Sequence, residues 1–152
     1  MVDSASDISQ DEAKQLGISV LPMTITFGEQ DFLDGVNLTH NEFYEKLIEN
    51  TDFPKTSQVN SYSFEEEYKK LTANDDQILV ITVSSKLSGT YNSALQAAKD
   101  YKNQVFVVDS LNVAIAERLL VKYALQLIDN GKSITEIVDI LNEKKTKIIK
   151  HS

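Results

Sequence analysis

Ile78-Leu-Val-Ile-Thr-Val83, then Ser84-Ser-Lys-Leu-Ser-Gly-Thr90, then Tyr91-Asn-Ser-Ala-Leu95 is the stretch on which the fold turns. The first six residues are apolar or β-branched and too few for a helix, which reads as a buried strand. Continuing that strand through Ser84 would bury hydroxyls without partners, so the chain leaves the sheet there. Apolar residues then recur at Tyr91, Ala94, Leu95 and Ala98, the spacing of a helix face. A strand, a small polar turn and a helix aim free backbone amides and the positive end of a helix dipole over the sheet edge. Ser88 could serve simply as a helix cap. The hydroxyls of Ser84, Ser85, Ser88 and Thr90, with Tyr91 beside them, exceed what a cap needs, which points to an anion or carboxylate site.

The 152 residues suit one domain with a sizeable core, and 41% hydrophobic with 25% charged residues is ordinary for a globular chain. A formal net charge of -8 disfavours a nucleic-acid partner, and no Lys/Arg stripe interleaved with aromatics offsets it. The absence of cysteine excludes disulfides, iron–sulfur clusters and thiolate zinc. With His40 and His151 the only histidines, no metal and no cofactor is expected. No basic-then-apolar leader and no stretch of membrane-spanning length is present, so membrane insertion is not expected and the default location is the cytoplasm.

Along the chain, Met1-Val2-Asp3-Ser4 reads as the last turn of a strand, opening abruptly. Ser9-Gln-Asp-Glu12 is a capping box for a short helix that stops at Gly17. Ile18 to Phe27 reads as one strand with an irregularity at Pro22; turns follow at Gly28 to Asp31 and at Asp34-Gly35. Thr39-His-Asn-Glu42 opens a helix with Phe43, Leu47 and Ile48 on one face, and His40 reads as a solvated first-turn residue. Thr56-Ser57-Gln58 falls in a loop after Pro54, and Ser63-Phe-Glu-Glu66 caps a third helix. A helix from Tyr91 to Tyr101 leads to a second buried strand at Val105 to Val108, ending in Asp109-Ser110. Ala116, Leu119, Leu120, Tyr123, Ala124, Leu127 and Ile128 mark a long amphipathic helix ending at Gly131. Ser133 caps the last helix, and residues 143–152 read as a lysine-rich, frayed tail, so the domain is expected over 1–142.

Strands alternating with helices after residue 77 imply a mainly parallel sheet in a three-layer α/β/α arrangement with right-handed crossovers. Ligands in such sheets bind beyond the carboxyl ends of the strands. There Asp3-Ser4, Ser84-Ser85 and Asp109-Ser110 would share one side. Lys86 precedes Gly89, the wrong order for a Walker A loop, and no Gly-x-Gly-x-x-Gly is present. Lys86-Leu-Ser-Gly-Thr90 lacks the first glycine of a nucleophile elbow, and nothing ties His40 to Ser88. The consecutive Glu65, Glu66 and Glu67 cannot share one helix face and read as solvated surface. Binding without chemistry remains. Thr56, Ser57 and Ser88 can donate hydroxyl hydrogen bonds, and Gly89 admits close backbone approach. By itself, Thr56-Ser57 would pass for an ordinary loop.

The chain resembles the N-terminal domain of the DegV family, fatty-acid-binding proteins that serve bacterial fatty acid kinase. The likeness rests on Asp3-Ser4-Ala5-Ser6-Asp7, Gly17-Ile-Ser-Val-Leu-Pro22, Phe32-Leu-Asp-Gly35, Glu42-Phe-Tyr44, Thr56-Ser-Gln58, Ser84-Ser-Lys-Leu-Ser-Gly-Thr-Tyr91 and Val108-Asp-Ser110, in family order to about Leu141. The run ending in Tyr91 is specific; the others count together. The resemblance implies two domains with a fatty acid between them. Thr56 and Ser88 would hold its carboxylate, with Ser57 and the Gly89 amide nearby. It also implies a separate kinase subunit that phosphorylates the presented carboxyl group, so this chain is expected not to be an enzyme. The family opens with a fuller strand and continues into a second domain that supplies part of the acyl tunnel and a histidine; His151 matches no family position. The chain therefore reads as a fragment, and self-association with poor or absent fatty-acid retention is expected of it alone. The alternative is a small-molecule enzyme that uses residues 84–90 as an oxyanion or phosphate cradle.

Overall fold

The computed structural model describes residues 1–49 and 53–150. Its centre is a four-stranded parallel sheet in the order β2-β1-β6-β7, formed by Val20–Leu21, Val2–Asp3, Ile78–Thr82 and Val105–Asp109. Period-two alternation along β6 sends Ile78 and Val80 to one face and Leu79 and Ile81 to the other. The first face packs on α3 (Ser61–Leu71) and α4 (Thr90–Ala98) through Phe64, Tyr68, Ala94 and Ala97. The second packs on α1 (Gln10–Leu16), α5 (Ala114–Asp129) and α6 (Ile134–Lys150) through Ala13, Leu120, Ala124, Ile137 and Leu141. These are the three expected layers.

Several local expectations need correction. The segment from Ile18 to Phe27 is not one strand: it breaks at Pro22, leaving β2 in the parallel sheet and starting β3 (Thr24–Phe27) in another. β3 is the centre of a three-stranded antiparallel sheet in the order β4-β3-β5, with β4 at Gln30–Leu33 and β5 at Lys55–Ser57. Thr56 and Ser57 therefore lie in a strand and not in a loop. Against this small sheet lies α2 (His40–Glu49), whose Phe43 ring stands 5.7 Å from Phe27; Ile48, expected on the same inner face, is 85% exposed.

Helix α3 starts before the expected cap, because Asn60 and not Ser63 caps it, accepting from the Ser63 amide at 2.8 Å. Helix α4 stops at Ala98 rather than reaching Tyr101. The expected frayed tail is also helical: α6 continues through 143–150. The His40 side chain and all of His151 lie outside the described residues. Ser9 and Gly17 do cap α1 as expected, Ser9 accepting from the Glu12 amide at 3.1 Å and Gly17 taking a φ of 72°. The Glu12 carboxylate is turned away from its box to α5, where it pairs with Arg118 and, at 3.2 Å, with Lys122.

Tyr68 shows how the α3/α4 layer is held. Its ring is fully buried, 5.8 Å from both Phe64 and Tyr101, and its hydroxyl donates to the Ala94 carbonyl at 3.0 Å. Burial pushes the phenol upward from its ordinary pKa. In chemical denaturation Tyr68→Phe should cost about 0.5–1.5 kcal/mol, the net value of one hydrogen bond. Phe64→Ala, which opens a cavity, should cost about 3–5 kcal/mol.

Candidate functional site

Where β1, β6 and β7 end, the chain must leave a buried sheet, and its amides need acceptors. Two acids supply them. The Asp3 carboxylate, 1% exposed, accepts from the Val83 amide at 2.6 Å and from the Ala5 amide at 3.1 Å. Asp109 Oδ1 accepts from Ser85 and Leu111 at 3.1 and 3.0 Å. Ser4 Oγ takes the Met23 amide at 2.9 Å, and Ser110 and Asn112 close a tight turn on one another. These polar strand ends do share one side, as expected, but their oxygens are spent on the backbone.

The hydroxyls of residues 84–90 divide the same way. Ser84 Oγ accepts from the Lys86 amide at 3.2 Å. Thr90, with no exposed surface, accepts from the Val59 amide at 3.2 Å and lies 2.9 Å from Ser88 Oγ, which also accepts from the Thr90 amide at 3.2 Å. A hydroxyl has one hydrogen to give. The Thr90 and Ser88 hydroxyls share one hydrogen bond, in which either can be the donor. Thr90 is buried and Ser88 is half-exposed. The order Val59 amide, Thr90 hydroxyl, Ser88 hydroxyl thus ends at a half-exposed hydroxyl. Gly89, not Ser88, is the N-cap of α4, and its amide has no protein acceptor among the described residues.

The Thr56 and Ser88 segments meet through three contacts. Val59 bonds Thr90, Gln58 Nε2 donates to Ser93 Oγ at 3.3 Å, and the Gln58 amide packs directly over Gly89. A Cβ at position 89 would collide with Gln58 Oε1, so the flexible Gln58 side chain would have to shift; the Gly89 φ of −79° is open to any residue. Thr56, opposite Ile25 in the register, lines a cavity of about 580 Å³, within the roughly 300–1,000 Å³ typical of small-molecule sites. Val20, Met23, Ile25, Leu38, Phe43 and Tyr44 give it apolar walls, drawn from β2, β3, α2 and the segments between them. Ser57 is exposed and does not line it. The sequence reading missed the cavity because its walls come from segments far apart in the chain. Gly89→Ala should displace Gln58, loosening the junction of the two segments. The expected outcome is a melting temperature within a few degrees of wild type, a loss under about 1 kcal/mol, with faster amide exchange at Val59 and Ser93.

Beneath the strand ends lies a carboxyl pair. Glu117 of α5 is fully buried beside Asp3. Burial and then repulsion from Asp3 push Glu117 up to about 11, and burial raises Asp3 to about 6 against the opposing amide bonds. Helical spacing could have found Glu117, since it falls three, four and seven residues before the buried Leu120, Val121 and Ala124. Both values are raised above the ordinary 3.8 and 4.5, so the pair's contribution to stability is full below the ordinary values and is lost as pH rises from them through the raised ones. Glu117→Gln cannot ionise. Its stability advantage over wild type in urea unfolding should widen steadily from about pH 5 to about pH 9; a constant gap would contradict the assignment.

The fold is a parallel α/β sheet with polar turns at its strand ends and an apolar cavity where the small antiparallel sheet and α2 lie against it. The chain belongs to the DegV family: residues 1–151 match the family described as "Uncharacterised protein, DegV family". A DegV domain-containing protein of Clostridium perfringens is 36% identical over 153 residues, covering 96% of this chain and 52% of that protein. Among solved structures, a fatty acid-binding DegV family protein from Thermus thermophilus superposes with a TM-score of 0.87 at 30% identity, over 95% of this chain and 52% of that one. A stearic acid-binding protein from Eubacterium ventriosum gives 0.84 at 26%, over 93% and 50%. The chain spans about half the length of the relatives it matches. Among the described residues, no helix is long and apolar enough to cross a membrane.

Proposed function

We propose that this chain is the N-terminal portion, 1–142 with its helical extension, of a cytoplasmic fatty-acid-binding protein. Thr56 and Ser88 hold the carboxylate, the Gly89 amide assists, Ser57 stands nearby, and the acyl chain enters the cavity beside Thr56. The observation that carries the reading is the half-exposed Ser88 hydroxyl at the end of the Val59–Thr90–Ser88 chain, joined through Gln58 to the strand that brings Thr56 to an apolar cavity. A single carboxylate on a long apolar tail is the ligand that uses both features. The fatty acid-binding relatives from Thermus thermophilus and Eubacterium ventriosum support the same ligand class.

Neutral donors recognise a carboxylate without activating it, so the chain is a binding protein and a separate kinase subunit forms the acyl phosphate on the presented carboxyl group. Leu87, Val113, Ile115 and Leu119 are exposed apolar side chains on the loops and helix start at this same sheet edge. They favour association with further protein, and in this chain alone with a second copy.

Hydrogen bonds to a charged acceptor contribute about 1.5–3 kcal/mol each, so Ser88→Ala and Thr56→Val should each weaken oleate binding roughly 10–100-fold. Calorimetry would measure it, with methyl oleate as the uncharged control. Equal oleate affinity in wild type and both variants would remove these hydroxyls from the site.

A further inference from the structure

The ends of β1 and β6 enclose polar side chains for which the fatty-acid reading has no use. Glu117 has no exposed surface, and neither carboxyl oxygen has a hydrogen-bond partner of ordinary geometry among the described residues. Ser6 and Thr82, also without exposed surface, have unpartnered hydroxyls. They come from elements that meet here: the single 3-10 turn Ser4–Ser6 packs on α5, and α5 packs on β6. Asp3 is the ionisable group beside Glu117, and its other contacts are the Val83 and Ala5 amides. Val83 is the last residue before the hydroxyl segment.

We propose that Glu117 is a positioning residue for residues 84–90, acting through Asp3. The proposal rests on reading that segment as the carboxylate site. Two ionised carboxylates cannot sit side by side in a buried place without a cation. The charged groups on the surrounding elements do not supply one. On α5, Arg118 and Lys122 are held by Glu12 of α1; on β7, Asp109 is occupied by the Ser85 and Leu111 amides; before β1, the Met1 ammonium donates to the Leu79 carbonyl.

The pair therefore carries one proton. Asp3 accepts two amides and is the natural carboxylate; Glu117 is the acid, as its upward shift agrees. Its ionisable neighbour is the Asp3 carboxylate, which takes that hydrogen when the two groups close to hydrogen-bond distance. That contact fixes the Asp3 side chain. Asp3 in turn fixes the amide at which the chain leaves β6 and begins the segment carrying Ser88.

Amide NMR on the full chain tests this. In wild type the Val83 amide shift should titrate with a midpoint of about 6. Glu117→Met removes the donor at similar volume. It should move that midpoint upward and speed amide exchange across 83–90 at least about fivefold, while Glu117→Gln restores both. A methionine variant indistinguishable from wild type overturns the proposal. Should that variant not fold, Asp3→Asn examines the same link from β1: faster exchange across 84–90 is expected, and wild-type exchange overturns it.

Oleate titration is read separately. Affinity should fall at least about fivefold in Glu117→Met and stay within about twofold in Glu117→Gln; unchanged affinity in the methionine variant overturns the positioning role. A wild type that binds no oleate leaves the amide comparison to decide the role of Glu117.

Discussion

The bond from the Val83 amide to the Asp3 carboxylate, 2.6 Å long and buried, is the constraint on which the rest of the strand-end geometry depends. β1 is two residues long, and its backbone pairing to β6 is correspondingly small. The side chain at its end extends that pairing by one more link and hands the chain over to the hydroxyl segment. Asp109 repeats the device one strand away. Buried amides at the exit of a parallel sheet cannot turn to water. Acids that resemble ligand groups in the sequence serve here as substitutes for missing strand partners.

The hydroxyls follow the same division of labour. Ser84 and Thr90 are consumed in shaping the turn, and Thr90 holds Ser88 in a mutual hydrogen bond. Of the four hydroxyl positions, the exposed Ser85 and the half-exposed Ser88 remain open to a ligand. In the proposed site a carboxylate meets neutral donors and not a cation, which suits a ligand that must be handed on. Charge-assisted bonds to uncharged partners are weaker than a fork of arginine nitrogens and are more readily exchanged.

How much of this the residues disclosed depended on how local the cause was. Ile78–Thr82 announces itself because it is buried on both faces and reads as an unbroken apolar run. Ser9 and Gly17 bound α1 through short-range bonds that spacing reveals. β5 was illegible as a strand: Lys55–Ser57 is short, polar and exposed, and is a strand only because β3, some thirty residues earlier, pairs with it. The extension of α6 was missed because its outer face is lysine-rich, although Ile137 and Leu141 on its inner face are buried. The Ser84 to Tyr91 run disclosed the polar turn between β6 and α4, but not the partition among its hydroxyls, which depends on the distant Val59 amide.

The break at Pro22 has a mechanical consequence. It leaves the cavity walled by two units with separate cores: the parallel sheet, buried by two helix layers, and the small sheet, whose buried apolar core is Ile25, Phe27 and Leu38. Units with little buried apolar surface open at lower free energy than the whole fold. The antiparallel sheet and α2 therefore form the less firmly held wall, and the parallel sheet, with Ser88 at its edge, the firmer one. In the proposed site a ligand with a long tail would have a doorway on one side and a fixed anchor on the other.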